Sequence, residues 1–138
     1  MQPENEVAME AMQRCIEAGK DFYLALPNIM KERMYEKHKE DLLLWKETAL
    51  TGFLIRNIGQ HHFLQEMGKA LVVDYNMNIT NNETIALWEE KGAKRVTTSL
   101  ELTATETALL KGAREKIVYG YFPVMTSSQC VLRGTSSC

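Results

Sequence analysis

A chain of 138 residues is long enough for one domain of ordinary size and too short for two. It is 45% apolar and 25% charged, the balance of a soluble globular protein and not of a disordered one. Sixteen basic side chains against eighteen acidic ones leave a net charge of −2, so no overall basic excess drives non-specific binding to nucleic acid or to an anionic membrane.

In chain order, Glu6–Ala18 reads as a helix. Val7, Met9, Met12 and Ile16, with Ala8, Ala11 and Cys15, form an apolar stripe at three- to four-residue spacing, and Gly19 marks the stop. The consecutive apolar residues Phe22–Leu26, closed by Pro27-Asn28, predict a strand buried on both faces. Helical periodicity returns over Ile29–Thr48. Gly52–Ile55 is a second apolar run, and Gly59–Met67 follows it as a short helix. Ala70–Val73 is a third run, ending in Asp74. Asn81 and Asn82 cap a helix over Glu83–Lys91 that stops at Gly92. Arg95–Ser99 reads as a fourth strand. Thr103, with Glu106 three residues on, forms a capping box. Ile117–Tyr119 is predicted as the fifth strand, and residues 126–138 form a tail rich in Ser, Gly and Cys.

Strands alternating with helices predict an α/β fold of parallel β/α units with right-handed crossovers. The expected strand starts lie near residues 22, 53, 70, 95 and 117. Such short spacings suit a TIM-type (β/α) barrel better than a doubly wound sheet. A closed barrel of that type needs about eight strands. Five predict a partial barrel: one domain over residues 1–138, read as a piece of a larger barrel. Its sheet edges would stay open for self-association, and Trp45 or Met125 would be left on the surface. The polar, acidic start MQPENEVAME carries no secretory signal. No apolar run approaches the ~20 residues of a spanning helix. The expected location is the cytoplasm, with no membrane partner.

In parallel β/α folds the ligand site lies at the carboxyl ends of the strands. Those ends carry Asn28, Arg56-Asn57, Asp74 to Asn78, Ser99 to Glu101, and Tyr121. An arginine, two carboxylates and several amides in one layer suit a carboxylate or phosphate substrate, or general acid–base chemistry. Capping and turn formation compete as the role of each Asn and Asp there. Glu101 and Asp74 are the catalytic candidates. Arg56, Asn76, Asn78 and Tyr121 are the substrate-binding candidates. Glu101 stands out because it lies just ahead of the Thr103 cap, where a helix N-terminus favours the carboxylate.

Three cysteines give no disulfide framework. Cys15 lies on an apolar stripe and is expected in the core. Cys130 and Cys138 are the metal-ligand candidates, although zinc or an iron–sulfur cluster normally takes four ligands, and two free thiols are the alternative. His61 and His62 are adjacent and so face different ways, against a shared metal, while His38 sits on a Lys/Glu-rich surface. No HExxH, CxxC or Gly-rich phosphate loop is present.

Three segments carry a family likeness: VVDYNMNITNNETIALWEEKGAKRV, RVTTSLELTATE and EKIVYGYFPVMTSSQCVL. Together they make Asp74–Cys130 resemble the peptidase U-32 family, the collagenase-like proteases. The second segment places Glu101-Leu102 on the family's strand-end motif. The third resembles a signature built around Glu-x-Phe-x-His-Gly with a cysteine ten residues beyond the glycine. Glu115, Gly120 and Cys130 match it, Ile117 stands for the Phe, Tyr119 for the His, and Pro123 replaces a first cysteine.

The resemblance implies a barrel domain belonging to a longer protein, a hydrolase acting on peptides or proteins that would be inactive as an isolated piece. Other members of the family are iron–sulfur proteins that hydroxylate RNA bases or quinone precursors without oxygen. In that alternative Cys130 and Cys138 would supply two of four cluster ligands in the full-length protein, with no cofactor held by this piece alone. A non-catalytic scaffold segment is the third reading.

Overall fold

A computed structural model describes residues 3–127 and 129. Helix α1 spans Pro3–Glu17 and leads into strand β1, Tyr23–Ala25. Then follow α2 (Glu32–Lys46), β2 (Gly52–Ile55), α3 (Ile58–Leu64), β3 (Ala70–Val73), α4 (Asn82–Glu90), β4 (Ala93–Thr97), α5 (Ala104–Leu109) and β5 (Arg114–Glu115). The five strands form one parallel sheet in the order β1-β2-β3-β4-β5. The order never reverses, so right-handed crossovers set successive helices on the same face, as in an arc of a (β/α) barrel.

The pleat divides the strands accordingly. Phe53 and Ile55 of β2, Leu71 and Val73 of β3, and Ala93 and Val96 of β4 belong to one core with Met12, Leu42, Trp45, Leu64, Ile85 and Trp88 from the helices. The alternate residues Leu54, Val72 and Arg95 stand in register with one another on the opposite face. On that face the Arg95 guanidinium lies 4.9 Å from the centre of the Tyr23 ring, although β1 and β4 are separated by two strands. In a flat sheet three strand spacings would separate their backbones by about 14 Å. Two long side chains lean toward each other across that span, on the face opposite the helices, which in a (β/α) barrel is the concave, interior one.

A register shift between Leu71 and Val72 sets Leu71 opposite Ala93 and Val72 opposite Arg95, so β4 carries one extra residue, Lys94. The bulge lets both Lys94 and Arg95 reach the Tyr23 phenol oxygen, at 3.1 and 3.5 Å. That phenol holds the Lys94 ammonium above the ordinary lysine range, while Asp21 lies 3.9 Å away. Gly52 serves the sheet itself: a Cβ there would stand 2.1 Å from the carbonyl oxygen of Ala70, so only glycine permits this approach of β2 to β3.

The local signals hold where side chains cap backbone. Asn81 accepts from the Thr84 amide at 2.8 Å, and Thr103 and Glu106 form the reciprocal capping box. The fifth strand is a correction. It falls on Arg114–Glu115, not on Ile117–Tyr119. Glu115 has a guanidinium and a hydroxyl waiting on β4, in Arg95 and Thr97, whereas Val118 and Tyr119 are both 90% exposed. Charge pairing on the concave face, invisible to a search for apolar runs, selects the strand. Trp45 is likewise corrected from surface to core, at 1% exposure, while Met125 is exposed as expected. Cys15 is only half-buried. His61 is buried edge-on to Trp88 with Nε2 3.1 Å from the Lys91 carbonyl, and His62 is exposed, so the two histidines do diverge. Among the described residues no helix is long and apolar enough to cross a membrane.

Candidate functional site

Ile55 and Val73 are register partners at the ends of β2 and β3, which sets the next residues, Arg56 and Asp74, side by side at the carboxyl rim. Arg56 Nε donates to Asp74 Oδ2 at 2.8 Å, and the Tyr75 amide donates to Asp74 Oδ1 at 2.8 Å. Asp74 is buried, so a charged partner and a backbone donor are what make its burial tolerable. Both of its oxygens are thereby engaged, and it holds Arg56 in place. The terminal nitrogens of Arg56 have no hydrogen-bond partner among the described residues. Behind the pair sits Gln60, fully buried on α3. It accepts from the Arg56 amide at 2.6 Å and donates to the Pro27 carbonyl at 2.7 Å, tying the ends of β1 and β2 together. Asn57 caps α3 by accepting from the Gln60 amide at 2.9 Å. It also takes a hydrogen bond from Tyr35, whose phenol burial pushes above its ordinary pKa.

One strand further along, the loops after β3 and β4 meet. Ile79 and Thr98 form a parallel bridge beyond the ends of the named strands. Buried Ser99 donates through its hydroxyl to Asn78 Oδ1 at 2.7 Å, and the same hydroxyl accepts from the Glu101 amide at 3.3 Å. Asn78 takes the left-handed backbone conformation, with φ of 51°, to end the 3₁₀ turn Tyr75–Met77. Ser99 thus fixes Asn78 and the Glu101 backbone together. The Glu101 side chain is exposed and makes no hydrogen bond among the described residues.

The chain after β5 returns across this rim. Tyr119 to Pro123 close one side of a cleft of about 400 Å³ whose floor includes Leu54, Arg56 and Asp74. Phe122 packs edge-on to Tyr75, with ring centres 5.8 Å apart. Asn28, Arg56, Asp74 and Tyr121 all line this cleft. Asn76, Asn78 and Glu101 do not; they stand on the loops after β3 and β4 at the same end of the sheet.

The family model described as Peptidase family U32 matches residues 4–137. The chain belongs to peptidase family U32. No curated protein and no solved structure matches it. In this U32 chain the motif residue Glu115 lies on β5, where it accepts from Arg95 and, at 2.9 Å, from the Thr97 hydroxyl. Ile117, Tyr119 and Gly120, from the same segment, line the cleft. Cys130 and Cys138 fall outside the described residues. Among the described residues, no three His, Cys, Asp or Glu side chains come together as metal ligands would.

Two residues at this rim escape a reading of strand ends alone. Gln60 sits one helical turn inside α3 and reaches back to two strand ends, a tie that no local pattern announces. Glu115 was detectable only as a motif match, since a two-residue strand has no periodicity.

Proposed function

We propose that this U32 chain forms part of a hydrolase acting on peptides or proteins, with the reaction at the carboxyl rim of the sheet. The observation that carries the reading is a division between two carboxylates. Asp74 is buried with both oxygens bonded, while the Glu101 carboxylate, one strand away on a loop that Ser99 fixes, is exposed and has no hydrogen-bond partner among the described residues. Paired carboxylates in unlike surroundings take unlike roles. Asp74 is the positioning residue for Arg56, and Arg56, Asn76, Asn78 and Tyr121 hold the substrate. Glu101 is the acid–base residue. It takes a proton from the water that adds to the scissile carbonyl and returns it to the amine released when the C–N bond breaks. The guanidinium nitrogens of Arg56 without a partner among the described residues suit the oxygen that gains charge in that step.

The test is cleavage of gelatin by the full-length protein and its Glu101→Gln variant. General acid–base catalysis contributes roughly 10²–10⁴-fold, so the variant should lose activity on that scale with an unchanged melting temperature. Full activity in Glu101→Gln, or no cleavage by the parent, would overturn the reading.

A further inference from the structure

The main-chain ladder between β1 and β2 ends on a side chain. The two strands are in register through Ala25 and Leu54, and the Leu26 amide donates to the Leu54 carbonyl at 3.2 Å. In a parallel ladder the next rung runs from the Arg56 amide to the Leu26 carbonyl. Among the described residues that rung is not made. The Arg56 amide donates instead to Gln60 Oε1 at 2.6 Å, and Gln60 Nε2 donates to the Pro27 carbonyl at 2.7 Å. Two hydrogen bonds and the width of an amide group stand where one hydrogen bond would. Between β2 and β3 the ladder does continue, with the Asp74 amide on the Ile55 carbonyl at 2.8 Å. The sheet is shut between Arg56 and Asp74 and parted between Pro27 and Arg56.

The parting falls at the site. Asn28, directly after Pro27, and Arg56 line both the cleft of about 400 Å³ and a second one of about 340 Å³ beside it. The gap that Gln60 spans is where the two clefts join. Parallel α/β sheets bind ligands in crevices at the carboxyl ends of their strands, usually where the strand order reverses. Here the order does not reverse, and a side chain parts the strand ends. That side chain is itself braced. Gln60 is fully buried, its backbone amide donates to Asn57 Oδ1 at 2.9 Å, and the Tyr35 hydroxyl donates to the same oxygen at 3.5 Å. A Cβ at Gly59 would stand 3.3 Å from that oxygen, so glycine keeps the brace clear.

We propose that Gln60 is a positioning residue whose amide wedges the ends of β1 and β2 apart and so holds Asn28 and Arg56 at the separation that admits the substrate. It acts on Arg56 through the main chain, whereas Asp74 acts through the guanidinium. Without the wedge the Arg56 amide closes onto the Leu26 carbonyl and the crevice narrows. The role deepens the peptide-hydrolase reading and rests on it for the substrate.

The test is fluorescence anisotropy of a labelled gelatin peptide on the full-length parent, Gln60→Met and Gln60→Glu. Met matches Gln in length and makes neither bond, so Gln60→Met should bind roughly tenfold more weakly at any pH. In Gln60→Glu a protonated carboxyl can accept from the Arg56 amide and donate to the Pro27 carbonyl, reproducing both bonds. The ionised carboxylate can only accept. Burial raises a carboxyl pKa, so near pH 5 the variant should match the parent, and near pH 8 it should bind roughly tenfold more weakly. Each affinity is taken relative to the parent at the same pH, which cancels the titration of Asp74, Tyr35 and the histidines. Circular dichroism sets the assay below the melting temperature of every variant. A Gln60 that serves folding alone would lower that temperature and leave the affinity of the folded protein unchanged. Parental affinity in Gln60→Met, or a Gln60→Glu affinity that ignores pH, would overturn the proposal. Gelatin cleavage separates the two readings. Wedge-dependent binding by a protein that cleaves nothing would sink the hydrolase alone, and cleavage with binding indifferent to Gln60 would sink this role alone. Neither binding nor cleavage by the parent would sink both.

Discussion

The two faces of the sheet use the same strands and obey different physics. On the helix face, Phe53, Ile55, Val73 and Val96 are fully buried against Trp45, Leu64 and Ile85. On the concave face, the alternate residues begin as Leu54 and Val72 and become Tyr23, Arg95, Thr97 and Glu115 around them. The first face is held by close packing, which is strong and unforgiving of lost volume. The second is held by ion pairs and hydrogen bonds that stay half in water. The candidate site lies at the rim of the concave face, where charged groups remain reachable. Close packing and polar pairing are thus divided by the pleat itself.

The division should show in how each face responds to substitution. The largest effect is expected on the helix face. Trp45→Ala removes a fully buried indole and should cost about 3–5 kcal/mol in urea unfolding. A loss below 1 kcal/mol would mean that the helix layer is not the stabilising one.

A smaller effect is expected from Glu115→Gln on the concave face. The Arg95–Glu115 pair is about one-third exposed on either side, so screening limits its worth to about 0–1 kcal/mol. Gln keeps an oxygen for Thr97, which reduces the loss further. If this variant unfolded the chain as readily as Trp45→Ala, the contrast between the faces would fail.

The smallest effect lies outside both faces, at the exposed start of α5. Thr103 donates to Glu106 through its amide and its hydroxyl, and these bonds hold the Glu106 carboxyl below the ordinary glutamate range. A folded pKa below the unfolded one means that the contribution is present above the unfolded value, near 4.5, and is lost as pH falls through the folded value. An NMR titration should find Glu106 protonating below the other exposed glutamates, and Thr103→Val, which removes the hydroxyl and keeps the backbone amide, should bring it part of the way back. No difference between the parent and Thr103→Val would remove the Thr103 hydroxyl from the list of forces acting on this helix.

Much of the fold was readable because its signals are local. Asn81 and Thr103 start helices through atoms within three residues, and β2 and β3 are four-residue apolar runs set between polar neighbours, the length of a strand and not of a helix. The candidate site was readable as a set of positions, since residues after parallel strands share a rim by topology alone. Which of them meet was not. Arg56 and Asp74 pair because Ile55 and Val73 are in register, whereas Glu101 and Asn78 meet only through Ser99.

By itself the sequence determined the alternation of helix and strand, the parallel sheet that follows from it, the caps, and the polar rim. These depend on periodicity and on near neighbours along the chain. Only the tertiary structure decided that the fifth strand is Arg114–Glu115, that Trp45 is buried, and that Asp74 is bonded while Glu101 has no partner among the described residues. Each of those depends on a partner far away in sequence: Arg95 on another strand, the sheet beneath α2, and the guanidinium one strand across. Pairing at that range is set by register, curvature and charge in three dimensions, and a one-dimensional pattern carries none of them.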